Sequence, residues 1–148
     1  MKVLLQRVKN ASVKIDNEIF SEIKEGILVF VGIEKGDSEE NVNKLAEKTC
    51  NLRIFEDENG RMNKSVLDIG GEILSVSQFT LAGNCKKGTR PSFDSAELPE
   101  KAKKLYELFN ACLSEKVITK TGVFGAMMEI GLINDGPVTF MLELPPVG

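Results

Sequence analysis

The stretch Gly26-Ile27-Leu28-Val29-Phe30-Val31-Gly32-Ile33 sets five consecutive apolar side chains between two glycines. Successive side chains of an extended strand point to opposite faces. A run without polar alternation must therefore be covered on both sides, as in a central strand. The chain around it must supply two apolar layers, and its 148 residues suffice to bury roughly two-thirds of the unfolded surface without help from a disulfide or a metal. A single domain spanning 1–148 is expected.

The flanking patterns fill in the rest. Residues 2–15 read as a long first strand, with Val3, Leu5, Val8, Val13 and Ile15 as its apolar positions. Asp16-Asn17 marks a turn into a second strand, Glu18–Ile23. After the central run, Asp37 and Glu40 have the spacing of a capping box with an acid at the cap. Val42, Leu45, Ala46, Thr49 and Leu52 then form one face of a helix. Pro99 suits the first turn of a second helix, whose apolar face is Ala102, Leu105, Phe109, Cys112 and Leu113, with Lys101, Lys103, Lys104 and Glu107 turned to water. Val117–Thr121 and a closing pair, Glu129–Asn134 and Val138–Leu144 joined through Asp135-Gly136-Pro137, read as strands. The expected fold is α/β in the α+β sense: a β-rich domain of mixed or antiparallel sheet with two main helices.

Several chemistries are excluded. The chain has no histidine, which removes Ser-His-Asp and Cys-His catalysis and every histidine metal site. Cys50, Cys85 and Cys112 form no CxxC pair, so neither a disulfide framework nor a zinc knuckle is expected. The acidic turn Glu56-Asp57-Glu58-Asn59-Gly60 lacks the alternating ligands and closing Glu of a calcium loop and reads as a solvated turn. A net charge of −3 gives no field favouring nucleic acid, so any RNA contact needs a local basic patch. No run of 18 apolar residues is present, and the N-terminal residues lack the apolar core of a signal peptide. No membrane partner is expected, and the expected location is the cytoplasm.

The stretch that carries chemistry is Ile73–Leu81, an apolar run after Gly70-Gly71 that turns polar at Ser77, Gln78 and Thr80 while still reading as strand. The loop Ala82–Pro91 follows at once, carrying Lys86, Lys87 and Arg90. Strand ends and their loops are common places for binding sites. Further on, Val123-Phe124-Gly125-Ala126-Met127-Met128 is small and apolar. It reads either as core strand or as the wall of a pocket for a flat ring.

Four motifs, Ser77-Gln78-Phe79-Thr80-Leu81, Lys87–Phe93, Gly122–Ala126 and Asn134–Thr139, together with the opening Met1–Val8, resemble the D-aminoacyl-tRNA deacylase family in order, spacing and total length. That resemblance implies a homodimeric, cofactor-free and metal-free hydrolase. It would cleave the ester of D-aminoacyl-tRNA, and of glycyl-tRNA mischarged on tRNA(Ala), while rejecting L-aminoacyl-tRNA. It also implies that Gly136-Pro137, joined by a cis bond, enters the partner subunit's active site to select chirality. An X-Pro bond by itself is cis in only about 5–6% of cases, so the cis state rests on the resemblance.

With no histidine, catalysis falls to positioning and oxyanion stabilisation of an already activated ester, and the resemblance implies that the terminal ribose 2′-hydroxyl assists the attack. The expected donors are the backbone N–H groups around Phe79 and Thr80; a hydroxyl nucleophile at Thr80 would need an activating base. Ser77 and Gln78 are expected to bond the terminal adenosine or shape its pocket, and Phe124, Gly125 and Met128 are expected at the adenine pocket. Lys86, Lys87 and Arg90 are expected at acceptor-end phosphates. The tRNA 3′ end and a second copy of the chain are the expected partners, with no DNA. Two alternatives stand beside this: a non-catalytic tRNA-binding module, and a hydrolase using carboxylates such as Glu56, Asp57 or Asp135.

Overall fold

The computed structural model of the protein describes residues 1–146. Strand β1 (Lys2–Ile15) organises the sheet. One of its edges pairs antiparallel with β3 (Gly26–Gly32) through Lys2–Val8 and with β2 (Glu18–Ile23) through Ala11–Ile15. The other edge pairs antiparallel with β8 (Glu129–Glu143) along nearly its whole length. Asp16 and Asn17 close the β1–β2 hairpin with φ of 51° and 66°, the left-handed pair that a two-residue loop needs to match strand twist.

Beyond β3 the sheet becomes parallel, through β6 (Glu72–Ser77) and β7 (Ile118–Thr121). Parallel neighbours require crossover connections, and the two helices, α1 (Glu39–Asn51) and α2 (Pro99–Ser114), lie within them. A separate two-stranded ladder, β4 (Phe55–Glu56) and β5 (Met62–Lys64), flanks the acidic turn. There Asp57 accepts hydrogen bonds from Asn59, Arg61 and Asn63, and those bonds, led by that of Asn63, hold its carboxyl below the usual range. The sheet is thus mixed and carries two helices, as the patterning predicts.

The two-faced burial of β3 is realised by two apolar clusters. Ile27, Val29 and Val31 join Val42, Leu45, Ala46, Leu105, Phe109 and Leu113 under the helices. Leu28 packs on the opposite face with Val8, Ala11, Val13, Ile23, Leu74 and Val76, partly covered by Ile130 and Leu132 of β8. In β1, Val3 and Leu5 face the helices and Val8 faces away. An irregular register between Val8 and Asn10 then reverses the phase, as an inserted residue does, so Ala11 and Val13 stay with Val8.

Three expectations are corrected. The strand carrying Ser77 ends there; Phe79–Ala82 form a 3-10 turn instead. Leu81 and Gln78 pack against Gly32 of β3, where an added Cβ would lie 2.9 Å from the Cβ of Leu81, so the chain turns over the end of its neighbour. The closing strand pair is one strand, β8, because both halves follow β1 and residues 135–138 bulge out between them. The cap of α1 is Ser38, whose hydroxyl accepts from Asn41 N–H at 3.3 Å. Asp37 is buried one residue earlier and has a different role: its carboxylate accepts from the Met1 ammonium at 2.8 Å, Glu34 N–H at 2.7 Å and Asn41 Nδ2 at 3.1 Å. A carboxylate takes several donors at once where a short cap takes one.

This assignment distinguishes two neighbours. Ser38→Ala is expected to lower stability by about 1 kcal/mol, the usual value of an N-cap. Asp37→Ala is expected to cost about 3 kcal/mol, because it removes the nearer of the buried ammonium's two carboxylate partners, leaving Glu34 at 3.1 Å, and strips the acceptor from Glu34 N–H and Asn41. Urea unfolding midpoints of the two variants check the order; equal losses would contradict it.

Candidate active site

Gln78 N–H makes the last sheet-like bond of this segment, to Val31 O at 2.8 Å. The 3-10 turn then closes through Leu81 N–H to Gln78 O at 3.2 Å and Gly83 N–H to Thr80 O at 2.9 Å. The first N–H groups of any helical turn have no partner within it. Those of Phe79 and Thr80 have no acceptor among the described residues, and both residues are exposed. Gln78 Nε2 donates to Thr80 Oγ1, and among the described residues that hydroxyl donates to no base.

Behind the turn, the buried Tyr106 of α2 donates its hydroxyl to Ser75 O at 2.7 Å. Burial pushes the Tyr106 hydroxyl up from its ordinary range, so it remains a neutral donor at physiological pH. Its ring lies 6.0 Å from that of Phe124. Phe124 is half-buried at the helix-side cluster, whereas Met128 packs on the opposite one, its sulfur 2.6 Å from where a Cβ on Gly122 would sit. The segment 123–128 is therefore a turn and an open connection, not a core strand, with Gly125 at φ 79° and Met127 fully outward. Tyr106 was absent from the face read in the sequence; its place one residue after Leu105 was the available signal.

The basic loop is a small excursion held at its base. Asn84 and Ser92 exchange backbone hydrogen bonds at 2.7 and 2.9 Å, and Asn84 Oδ1 accepts from Lys86 N–H at 2.9 Å. Lys86, Lys87 and Arg90 are all exposed at its tip. Just past it, the Phe93 ring meets Phe79 edge-on, centroids 5.2 Å apart.

Gly136-Pro137 lies on β8 and its peptide is cis. Asn134 spans this bulge: its Oδ1 accepts from Val138 N–H at 2.9 Å, and its Nδ2 donates to Val138 O and Gln6 Oε1, both at 3.0 Å. Arg7, buried in β1, donates through Nε to Asp135 O and through an outer nitrogen to Ile54 O, each at 2.8 Å. Gln6 and Arg7 had no assigned role in the sequence, although a charged residue in an otherwise apolar strand was a signal that something polar must meet it.

Ser77, Gln78, Phe79 and Thr80 thus come together with the basic loop, and Phe124 approaches them through Tyr106. Gly136-Pro137 does not join them within one chain. The order β8-β1-β3-β6 sets three interstrand steps between the two, about 14 Å along the sheet.

The family model described as D-Tyr-tRNA(Tyr) deacylase matches residues 4–143. A D-aminoacyl-tRNA deacylase of Geotalea daltonii is 56% identical over 146 residues, 98% of this chain and 97% of that protein. One of Thermodesulfovibrio yellowstonii is 58% identical over 144 residues, 97% and 99% of the two chains. Among solved structures, one described as c-Myc DNA Unwinding Element Binding Protein superposes with a TM-score of 0.93 at 43% identity, covering 98% of this chain and 99% of that one. A probable eukaryotic D-amino acid tRNA deacylase superposes at 0.83 with 17% identity over 97% and 98% of the chains, a likeness of fold.

The Asn134 bridge makes a donor–acceptor prediction. Asn134→Asp keeps the acceptor for Val138 N–H but loses both donations. It is expected to cost about 2 kcal/mol, read as a lowered denaturant midpoint at pH 7. An unchanged midpoint would mean that the amide does not hold the bulge.

Proposed function

The chain belongs to the D-Tyr-tRNA(Tyr) deacylase family, and on that premise we propose that it hydrolyses the ester of D-aminoacyl-tRNA, releasing the D-amino acid and free tRNA in the cytoplasm. The observation that carries the reading is the turn after β6. Two neighbouring N–H groups, of Phe79 and Thr80, stand without acceptors among the described residues at an exposed strand end.

An attacking water converts the ester carbonyl into a tetrahedral oxyanion. The Phe79 and Thr80 N–H groups stabilise that charge as it develops, which is where preorganised donors act most strongly. The ribose 2′-hydroxyl of the substrate assists the attack. Ser77 and Gln78 orient the terminal adenosine, with Phe124 and Gly125 at its base; Met128, packed on the opposite cluster, supports that segment from behind. Lys86, Lys87 and Arg90 meet backbone phosphates near the acceptor end. Thr80 acts through its backbone and local shape, in keeping with a hydroxyl that accepts from Gln78 and has no base beside it among the described residues.

Chirality is selected by exclusion. Gly136 and Pro137, held by Asn134 and Arg7, present carbonyls to the substrate α-carbon of a second copy, forming a homodimer across exposed edges. Their distance from Thr80 within one chain supports completion by the partner. A D-residue turns its side chain outward while its ammonium meets the carbonyls; an L-residue drives its side chain into backbone. Glycine, with no side chain, escapes exclusion, so glycyl-tRNA is also cleaved.

Two outcomes test this. Purified protein with a chelator is expected to deacylate D-tyrosyl-tRNA and spare L-tyrosyl-tRNA. Equal cleavage would overturn the exclusion model, and RNA binding without turnover would favour a non-catalytic module. Thr80→Ala is expected to keep activity within about tenfold of the parent, against the 10²–10³ that losing an oxyanion donor costs; near-complete loss with an intact fold would assign catalysis to the hydroxyl.

A further inference from the structure

We propose that the Phe79–Phe93 pair is a stacking platform for the unpaired base that precedes the terminal adenosine of the RNA. The inference rests on the function proposed above and extends it by one nucleotide. Phe79 is 57% exposed and Phe93 40%, unusual for two aromatic rings in mutual contact, since each would gain from burial.

The pair is also held in place. Gly83 allows Phe93 to lie on the turn, because a Cβ there would sit 3.0 Å from Phe93 Cε1 and 2.9 Å from Thr80 O. The Asn84–Ser92 bridge fixes the residue before Phe93, and Ala96 N–H donates to Phe93 O at 3.0 Å. The rings are thus preorganised rather than collapsed onto the core. The occupant is set by what surrounds them. The loop between Asn84 and Ser92 carries three exposed cations, Lys86, Lys87 and Arg90, on a chain whose net charge is −3. Aromatic faces beside a basic track are the physical requirement of single-stranded nucleic acid binding, where bases stack and phosphates pair. Phe79 supplies both ends of the register: its N–H faces the reacting ester and its ring receives the next base.

The test compares two substrates, D-tyrosyl-tRNA and D-tyrosyl-adenosine, which lacks the preceding nucleotide. Phe93→Ala is expected to lower kcat/KM on the tRNA about tenfold, through KM, and to leave D-tyrosyl-adenosine unchanged; Phe93→Trp is expected to restore the tRNA value. Equal loss on both substrates would assign Phe93 a structural role, and no loss on tRNA would remove the platform. A change in sedimenting mass on Phe93→Ala would show that a second copy covers the rings, which also overturns the proposal. If the parent protein cleaves neither ester, the proposed function falls by itself. The platform is then judged by fluorescence titration with a single-stranded CCA oligonucleotide, on which Phe93→Ala is expected to bind at least fivefold more weakly, and equal binding overturns it.

Discussion

The structure depends on the burial of one strand on both faces. Once Ile27–Val31 lies in the middle of a sheet, its odd and even side chains each need an apolar layer. The chain meets one demand with helices and the other with sheet. Ile27, Val29 and Val31 are covered by α1 and α2, which sit in the crossovers that parallel strands require. Leu28 is covered by β1, β2 and β8 residues, and the phase change in β1 after Val8 brings Ala11 and Val13 to that side. No helix is needed there because the sheet supplies its own lid.

The geometry of the proposed active site follows from how this core ends. β6 is buried through Val76 and then runs out of sheet to pair with, so the chain turns over Gly32 and leaves the first two N–H groups of the turn without an acceptor among the described residues. A chain without histidine has few ways to hasten acyl transfer, and unpaired backbone donors at a fixed position are one of them. Thr80 Oγ1 accepts from Gln78 and Ser75 O accepts from Tyr106, whereas the N–H pair has no acceptor among the described residues.

The Gly136-Pro137 bulge, proposed above to select chirality, sits elsewhere for a related reason. A bulge is tolerated on an edge strand, where one side of the ladder is unconstrained, and β8 is paired with β1 alone among the described strands. Asn134 and Arg7 compensate the backbone groups that the bulge removes from the ladder. Such an element is well supported but turned away from its own protomer's strand end, which makes it suited to act on another.

What the sequence determined by itself was largely local and periodic. The extent of β1 and β2, the Asp16-Asn17 turn, the two-faced β3, Pro99 opening α2 and the motif set that identifies the family all follow from short patterns or from ordered motifs. Tertiary structure decided matters of direction and partnership. Ser77-Gln78-Phe79-Thr80-Leu81 alternates like a strand, yet it becomes a turn because β3 ends beside it. Asp37 has cap spacing, yet a buried ammonium claims it and Ser38 caps the helix. Glu129–Leu144 reads as two strands, yet β1 is long enough to pair with both halves. In each case the residue pattern permits two local outcomes, and a contact far away in the chain selects between them.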